Sequence, residues 1–174
     1  MLQLFVAGNE TTTSLISNFV WRFLSNDGLW RALCDGHIDL DRAINESLRF
    51  DPPLLALFRT TARDVVIGGT QVSAGTKVMT HYGAANRDPA AFPNPHAFDP
   101  HRSGRKVLSF GLGIHVCLGM ELARLEARIA LSALVRHCPN LELIDDGERI
   151  GPFLFWGRRK LPVRDIARSG GAHS

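Results

Sequence analysis

The chain has 174 residues, 45% of them hydrophobic, which is enough for a globular domain with one hydrophobic core. A net charge of +3, from 20 basic and 17 acidic residues, is too small to indicate a nucleic-acid-binding protein. The three cysteines, Cys34, Cys117 and Cys138, form no C-x-x-C pair. This argues against a disulfide framework or a zinc ribbon and favours a reducing, cytoplasmic compartment. No segment is apolar enough for a membrane span, so no membrane contact is expected.

Three helices are predicted in the first 50 residues, where apolar side chains recur at helical spacing. Asp39 is the expected N-cap of the third helix, and Pro52 explains why that helix ends at Phe50. The predicted helices cover residues 1–24, 26–33 and 40–50.

Residues 55–81 change to short runs of β-forming residues, separated by turn signals at Gly68-Gly69 and Ala74-Gly75. A small sheet of hairpins is the expected result, followed by a helical turn near Ala84–Arg87. The predicted strands are Leu57–Ala62, Val65–Ile67, Gln71–Val72 and Lys77–Thr80.

The second half of the chain begins with an irregular, proline-rich segment over residues 88–107. A helix is predicted over 118–137, and further strands at Leu141–Ile144 and Leu161–Val163. The expected fold class is mostly α with small β-sheets (α+β), in one domain over residues 1–168 with a disordered tail at 169–174. The apolar side of the long helix is predicted to comprise Leu118, Leu122, Leu125, Ile129, Leu131, Leu134 and Val135.

The strongest chemical feature is the loop from Phe110 to Gly119, which carries Cys117 just before this long helix. Unpaired N–H groups at a helix N-terminus favour a thiolate over a thiol. Gly111 and Gly113 allow the backbone to turn tightly and to approach a large flat ligand. The loop is therefore suited to present a soft, anionic metal ligand, with Phe110 expected to keep water from the sulfur.

Three other interpretations of this loop are open from the residues alone. Cys117 would be a buried core cysteine if nothing else marked it. A dinucleotide-binding turn needs a third glycine where Val116 stands. A zinc site using His115 and Cys117 lacks further ligands at the usual spacing.

The loop resembles the F-x-x-G-x-x-x-C-x-G signature of the cytochrome P450 family, with Phe110, Gly113, Cys117 and Gly119 in place. The resemblance implies haem b, with Cys117 as the axial thiolate that favours O–O cleavage. It also implies that His115 reaches a haem propionate.

A second resemblance is the pair Glu46 and Arg49, which share a helix face at i,i+3 spacing. An ordinary surface ion pair has the same spacing and contributes only about 0.3–0.5 kcal/mol. The family has an E-x-x-R pair on the corresponding helix, bonded to a third arginine, and Arg102 matches that partner.

Three further places in the chain resemble the family. Ala7–Thr12 is similar to its oxygen-binding helix motif A-G-x-[DE]-T, which implies that Glu10 and Thr11 deliver protons. A polar stripe on an amphipathic helix is the alternative. Arg59 matches an arginine that pairs with a haem propionate, although a solvated strand-edge arginine fits equally well. Gly83–Pro89 also resembles bacterial members, and no chemistry is assigned to it.

The resemblance covers almost the whole chain but only the C-terminal part of a complete member, so the chain is expected to be a truncated P450 that holds haem weakly by itself. The implied activity is a monooxygenase that inserts one oxygen atom into a small apolar organic substrate. A ferredoxin or flavin reductase would donate electrons. It would dock on basic residues close to Cys117 in the sequence, although for any single one of them a solvated helix face is the favoured explanation: Arg105, Lys106, Arg124 and Arg128. The alternatives are a non-catalytic haem- or partner-binding fragment and an inactive gene fragment.

Overall fold

The computed structural model describes residues 2–103, 106–151 and 153–166 as a set of packed helices with short strands around them. This confirms the expected fold class of mostly α structure with small sheets. The helices are α1 (Leu2–Leu24), α2 (Leu29–Cys34), α3 (Leu40–Phe50), α4 (Tyr82–Ala85) and α5 (Met120–His137). The strands are β1 (Ala56–Thr60), β2 (Val65–Ile67), β3 (Thr70–Val72), β4 (Lys77–His81), β5 (Leu141–Leu143), β6 (Glu148–Arg149), β7 (Arg158–Lys160) and β8 (Val163–Asp165).

The core lies where α1, α2, α3 and α5 meet. Phe19 and Phe23, one turn apart on α1, stack with their ring centroids 4.2 Å apart. Ile44 from α3 and Leu131 from α5 are buried in the same cluster. Among the helices in the described part of the chain, none combines the length and apolarity that crossing a membrane requires.

Helix α3 begins and ends where its sequence predicts. The Asp39 side chain accepts a hydrogen bond from the Arg42 backbone N–H at 2.8 Å, as an N-cap should. Helix α2 begins later than predicted, at Leu29, because Gly28 adopts a left-handed conformation with φ 78° and separates it from residues 26 and 27.

The strands form four antiparallel pairs, β1–β4, β2–β3, β5–β8 and β6–β7. The last predicted strand was misplaced, because Pro162 offers no N–H to a partner and the pairing begins only at Val163. Strands β6 and β7 were not predicted, since both consist of charged residues without apolar alternation. The tail predicted at 169–174 lies outside the described residues.

The apolar side predicted for the last helix is wrong in part. Helix α5 starts at Met120, and its buried residues are Ala127 and Leu131. Leu134 and Val135 are half-buried and pack against the core, so the prediction is confirmed for these two and for Leu131. Ala127 is two residues from Leu125 and from Ile129, which places it on the opposite side of the helix, about 200° away. The predicted residues on that opposite side, or in the loop before the helix, are exposed: Leu118, Leu122, Leu125 and Ile129.

This division of α5 predicts unequal effects of the same substitution. Leu131 is 0% exposed and Leu122 is 59% exposed. Leu131→Ala is expected to lower the free energy of unfolding by about 2–5 kcal/mol, because it leaves a cavity. Leu122→Ala should change it by less than about 0.5 kcal/mol. Urea unfolding followed by circular dichroism measures both, and equal losses would contradict the assigned faces.

Candidate functional site

The cysteine loop, residues 110–119, is closed by its own backbone. The Gly111 N–H donates to the Leu108 carbonyl at 2.8 Å, and the Cys117 N–H donates to the Phe110 carbonyl at 2.8 Å. A short 3₁₀ turn over Gly113–His115 lies between these bonds. Gly111 has a φ of 71°, and a Cβ there would lie 3.3 Å from the His115 carbonyl oxygen. The tight closure therefore requires glycine at this position.

Cys117 lies in front of the N-terminus of α5 and is exposed. The interpretation as a buried core cysteine is therefore wrong. Within residues 106–151, the N–H groups of Leu118 and Gly119 have no hydrogen-bond acceptor, so they are free to stabilise an anionic sulfur.

Haem needs one soft axial ligand from the protein rather than a cluster of ligands. Across the ranges the structure covers, no group of three or more His, Cys, Asp or Glu side chains is placed to hold a metal ion. A single accessible thiol with free N–H groups beside it fits this requirement.

The structure does not provide the dry sulfur that the sequence suggested. Phe110 is half-buried and packs against the hydrophobic core, and the Arg124 guanidinium lies 5.2 Å from its ring centroid. The loop from Leu112 to Gly119, including His115, is exposed. The sulfur is therefore open to water in this chain.

Glu46 and Arg49 form a buried ion pair on α3, with both side chains 1% exposed. Arg49 Nε and Nη2 donate to the two carboxylate oxygens of Glu46, each at 2.8 Å. The remaining donors of Arg49 reach the carbonyls of Asn86 at 3.0 Å, Pro95 at 2.8 Å and Ala97 at 2.9 Å. The pair therefore differs from the solvated surface pair that has the same spacing.

Arg102 joins this cluster from the proline-rich segment. Its Nε lies 3.2 Å from Glu46 Oε2, although not in the direction of a hydrogen bond. Its Nη1 donates to the Pro93 carbonyl at 2.7 Å, and its side chain is 16% exposed. Glu46 also accepts the Asp99 backbone N–H at 2.9 Å. The sequence-predicted residues Glu46, Arg49 and Arg102 are thus brought together.

The other predicted site residues lie on two elements, Glu10 and Thr11 on α1 and Arg59 on β1. Glu10 is exposed on α1, and the Thr11 hydroxyl donates to the Ala7 carbonyl at 2.6 Å. Arg59 is exposed on β1 and donates to the Phe58 carbonyl at 2.9 Å. In the described ranges, none of these three side chains has a hydrogen bond or ion pair with the cysteine loop.

A second polar centre surrounds the buried carboxylate of Asp51, and sequence reasoning missed it. Arg22 donates to Asp51 Oδ2 from Nε at 2.9 Å and from Nη2 at 2.7 Å, and Trp156 Nε1 donates to Oδ1 at 3.0 Å. Nearby, burial and then the charge of Arg149 lower the pKa of Arg158 to about 10. These residues are far apart in the sequence, so no local spacing could have indicated the centre.

The family model for cytochrome P450 matches residues 40–150. The chain is 44% identical over 141 residues to the putative cytochrome P450 YjiB of Bacillus subtilis, covering 81% of this chain and 36% of YjiB. It is 42% identical over 166 residues to the cytochrome P450 monooxygenase PikC of Streptomyces venezuelae, and this match covers 92% of this chain and 40% of PikC.

Among solved structures, CYP109E1 of Bacillus megaterium in complex with testosterone superposes with a TM-score of 0.92 at 34% identity. The match covers 95% of this chain and 47% of that protein. The chain thus spans less than half the length of each of these relatives.

The buried pair predicts a large loss when its geometry is changed. Arg49→Lys removes the paired donation to Glu46 and should cost about 3 kcal/mol or more of unfolding free energy. Arg31→Lys is the matched control, because Arg31 pairs with Asp35 on a helix but is 61% exposed, and it should cost less than about 0.5 kcal/mol. Losses of the same size in urea unfolding would mean that burial of the pair is unimportant.

Two of the three cysteines, Cys34 and Cys117, should differ in reactivity. Cys117 is exposed, whereas burial, followed by the Asp35 charge, raises the pKa of the half-buried Cys34. A raised pKa leaves less thiolate at neutral pH, so Cys34 should react with iodoacetamide about tenfold more slowly than Cys117. Mass spectrometry of tryptic peptides after timed alkylation measures the order, and faster modification of Cys34 would be inconsistent with the exposed loop.

Proposed function

The chain belongs to the cytochrome P450 family, and on that premise we propose that it carries the haem-thiolate site of a monooxygenase, with Cys117 as the axial ligand. The enzyme would insert one oxygen atom of dioxygen into a small apolar organic substrate. The observation that carries this proposal is the accessible Cys117, which lies before α5 beside two free backbone N–H groups.

Haem b, when bound, supplies the iron chemistry of dioxygen cleavage, and the Cys117 thiolate donates electron density to it. Gly111, Gly113 and Gly119 present little bulk, so the loop backbone can approach the flat face of the ligand. Phe110 anchors the start of the loop in the core, which fixes where the sulfur is presented.

The remaining site residues have roles suited to their charges and positions. Arg59 and His115 are both exposed and would donate hydrogen bonds to the haem propionates. Glu10 and Thr11 would supply protons to the oxygen side. The buried cluster of Glu46, Arg49 and Arg102 acts indirectly, because it holds the segment that leads to the loop.

Electrons would come from a ferredoxin-type or flavin-type reductase. Lys106 is exposed just before the loop and can meet an acidic partner. Arg128 is exposed on α5, where its Nη1 lies 3.8 Å from Asp41 Oδ2 in an exposed ion pair that a partner's carboxylate can replace. Arg124 is less available, since its Nη2 donates to Asn45 Oδ1 at 3.1 Å, and Arg105 lies outside the described residues. Testosterone, bound by the relative CYP109E1, is an apolar molecule and supports the proposed substrate class.

A second candidate function is a haem-binding fragment without turnover. The exposure of Cys117 favours it, because catalysis requires a site from which water is excluded. The two functions share the same axial ligand and differ only in whether oxidation of a substrate follows.

A spectroscopic titration of the purified chain with haemin tests the ligand assignment. After reduction and addition of carbon monoxide, the wild-type chain should give the Soret band typical of thiolate-ligated haem. Cys117→Ser should abolish that band, because a serine hydroxyl cannot replace the soft anionic sulfur. Cys138→Ser is the matched control and should keep it, since Cys138 is half-buried after α5.

Two results separate the candidates. Oxidation of an apolar substrate in the presence of a reductase supports the monooxygenase, whereas a thiolate spectrum without turnover supports the binding fragment. An unchanged spectrum in the Cys117→Ser variant would refute both.

A further inference from the structure

We propose that Asn86, in the segment Gly83–Pro89 to which no chemistry was assigned, is a positioning residue for the cysteine loop. Its backbone carbonyl bonds to the Glu46–Arg49 cluster, and its buried side-chain amide bonds to the two residues immediately before Phe110. The significance of this bridge for a haem ligand rests on the proposed function, but the contacts and their test do not require haem.

The Asn86 side chain is completely buried and its amide is hydrogen-bonded on both sides. Its Nδ2 donates to Ser109 Oγ at 2.9 Å, and its Oδ1 accepts the Leu108 backbone N–H at 2.7 Å. A carboxamide is suited to this position because it donates and accepts at once. Asn86 therefore fixes two consecutive residues at the entrance to the loop.

Ser109 passes this restraint to the end of α3. Its hydroxyl donates to the Leu48 carbonyl at 2.5 Å. In a continuing helix that carbonyl would accept the N–H of residue 52, but Pro52 has none. Ser109 therefore satisfies a carbonyl that the helix itself leaves free, and the bond ties the loop to α3.

The other side of Asn86 connects to the buried ion pair. Its backbone carbonyl accepts a hydrogen bond from Arg49 Nη1 at 3.0 Å. On the loop side, the Phe110 carbonyl accepts the Cys117 N–H at 2.8 Å. A continuous path thus runs from Arg49 through Asn86 and Ser109 to the backbone of Cys117, which explains how a cluster remote from the sulfur sets its position.

A merely structural role for Asn86 makes a different prediction. Any buried asparagine whose bonds are lost should destabilise the whole chain without a preferred location. Asn18 is the matched control, because it is 2% exposed and its Nδ2 donates to the carbonyls of Asp51 at 3.3 Å and Trp156 at 2.7 Å. It lies on α1 and has no bond to the cysteine loop.

The test compares Asn86→Ala with Asn18→Ala in the full chain, without haem, by amide hydrogen exchange and mass spectrometry. In Asn86→Ala the hydrogen-bonded amides in the peptide covering residues 106–119, those of Gly111 and Cys117 among them, should exchange about tenfold faster than in Asn18→Ala. Each variant loses two buried side-chain hydrogen bonds, and a factor of about ten is the size expected when such bonds are lost without replacement. Peptides from α1 and α3 should exchange no faster than in the control.

Equal acceleration of residues 106–119 in both variants, or no acceleration in Asn86→Ala, would overturn the proposal. If Asn86→Ala fails to fold, Ser109→Ala is the second variant, because it removes the bond between Asn86 and Ser109. It should show the same faster exchange of residues 106–119. Unchanged exchange of these residues in Ser109→Ala would also overturn the proposal. If the exchange experiment gives the expected difference but the haemin titration shows no thiolate spectrum, the proposed function is refuted and the positioning role of Asn86 is not.

Discussion

The charge of Arg49 is the constraint on which the rest of the site depends. A guanidinium removed from water has to find an acceptor for each of its five N–H groups, and the cost of leaving one unmatched is large. Arg49 meets this demand with two bonds to Glu46 and three to the carbonyls of Asn86, Pro95 and Ala97. Helix α3 and two distant stretches of coil are thereby held in one geometry.

The proline-rich segment depends on this arrangement because it has little regular structure of its own. Each proline contributes a carbonyl acceptor but no N–H donor, so a proline-rich segment has more backbone acceptors than backbone donors. Arginine side chains supply the missing donors, with Arg49 bonding to Pro95 and Arg102 to Pro93. A segment that looks unstructured in the sequence is therefore anchored, and its anchors lead directly to the entrance of the cysteine loop.

The features that could be predicted from the sequence are those determined by near neighbours in the chain. The Asp39 cap, the end of α3 before Pro52 and the shared face of Glu46 and Arg49 each depend on residues within one helical turn. Likewise, the glycines of the cysteine loop marked a tight turn, and Gly111 adopts the positive φ that such a turn requires.

The features that could not be predicted depend on residues brought together only by the fold. The Asn86–Ser109 bond joins residues 23 positions apart, and Arg22 reaches Asp51 across 29. The covered face of α5 is a similar case. Helical periodicity identifies apolar side chains, but only the packing of α1 and α3 decides that Leu131 is covered while Leu122 is exposed.

The exposed sulfur separates two requirements of haem-thiolate catalysis, the presence of an axial ligand and the exclusion of water. Axial ligation needs a soft anion held in place, and the closed loop places Cys117 before α5, next to two N–H groups that have no acceptor within residues 106–151. Oxygen chemistry also needs the exclusion of water, which the described residues around the loop do not provide. On the proposed function, the ligand would be presented by this chain's own contacts, whereas catalysis would depend on a cover over the loop. What distinguishes a monooxygenase from a haem-binding fragment is thus the closure of the site rather than the identity of its ligand.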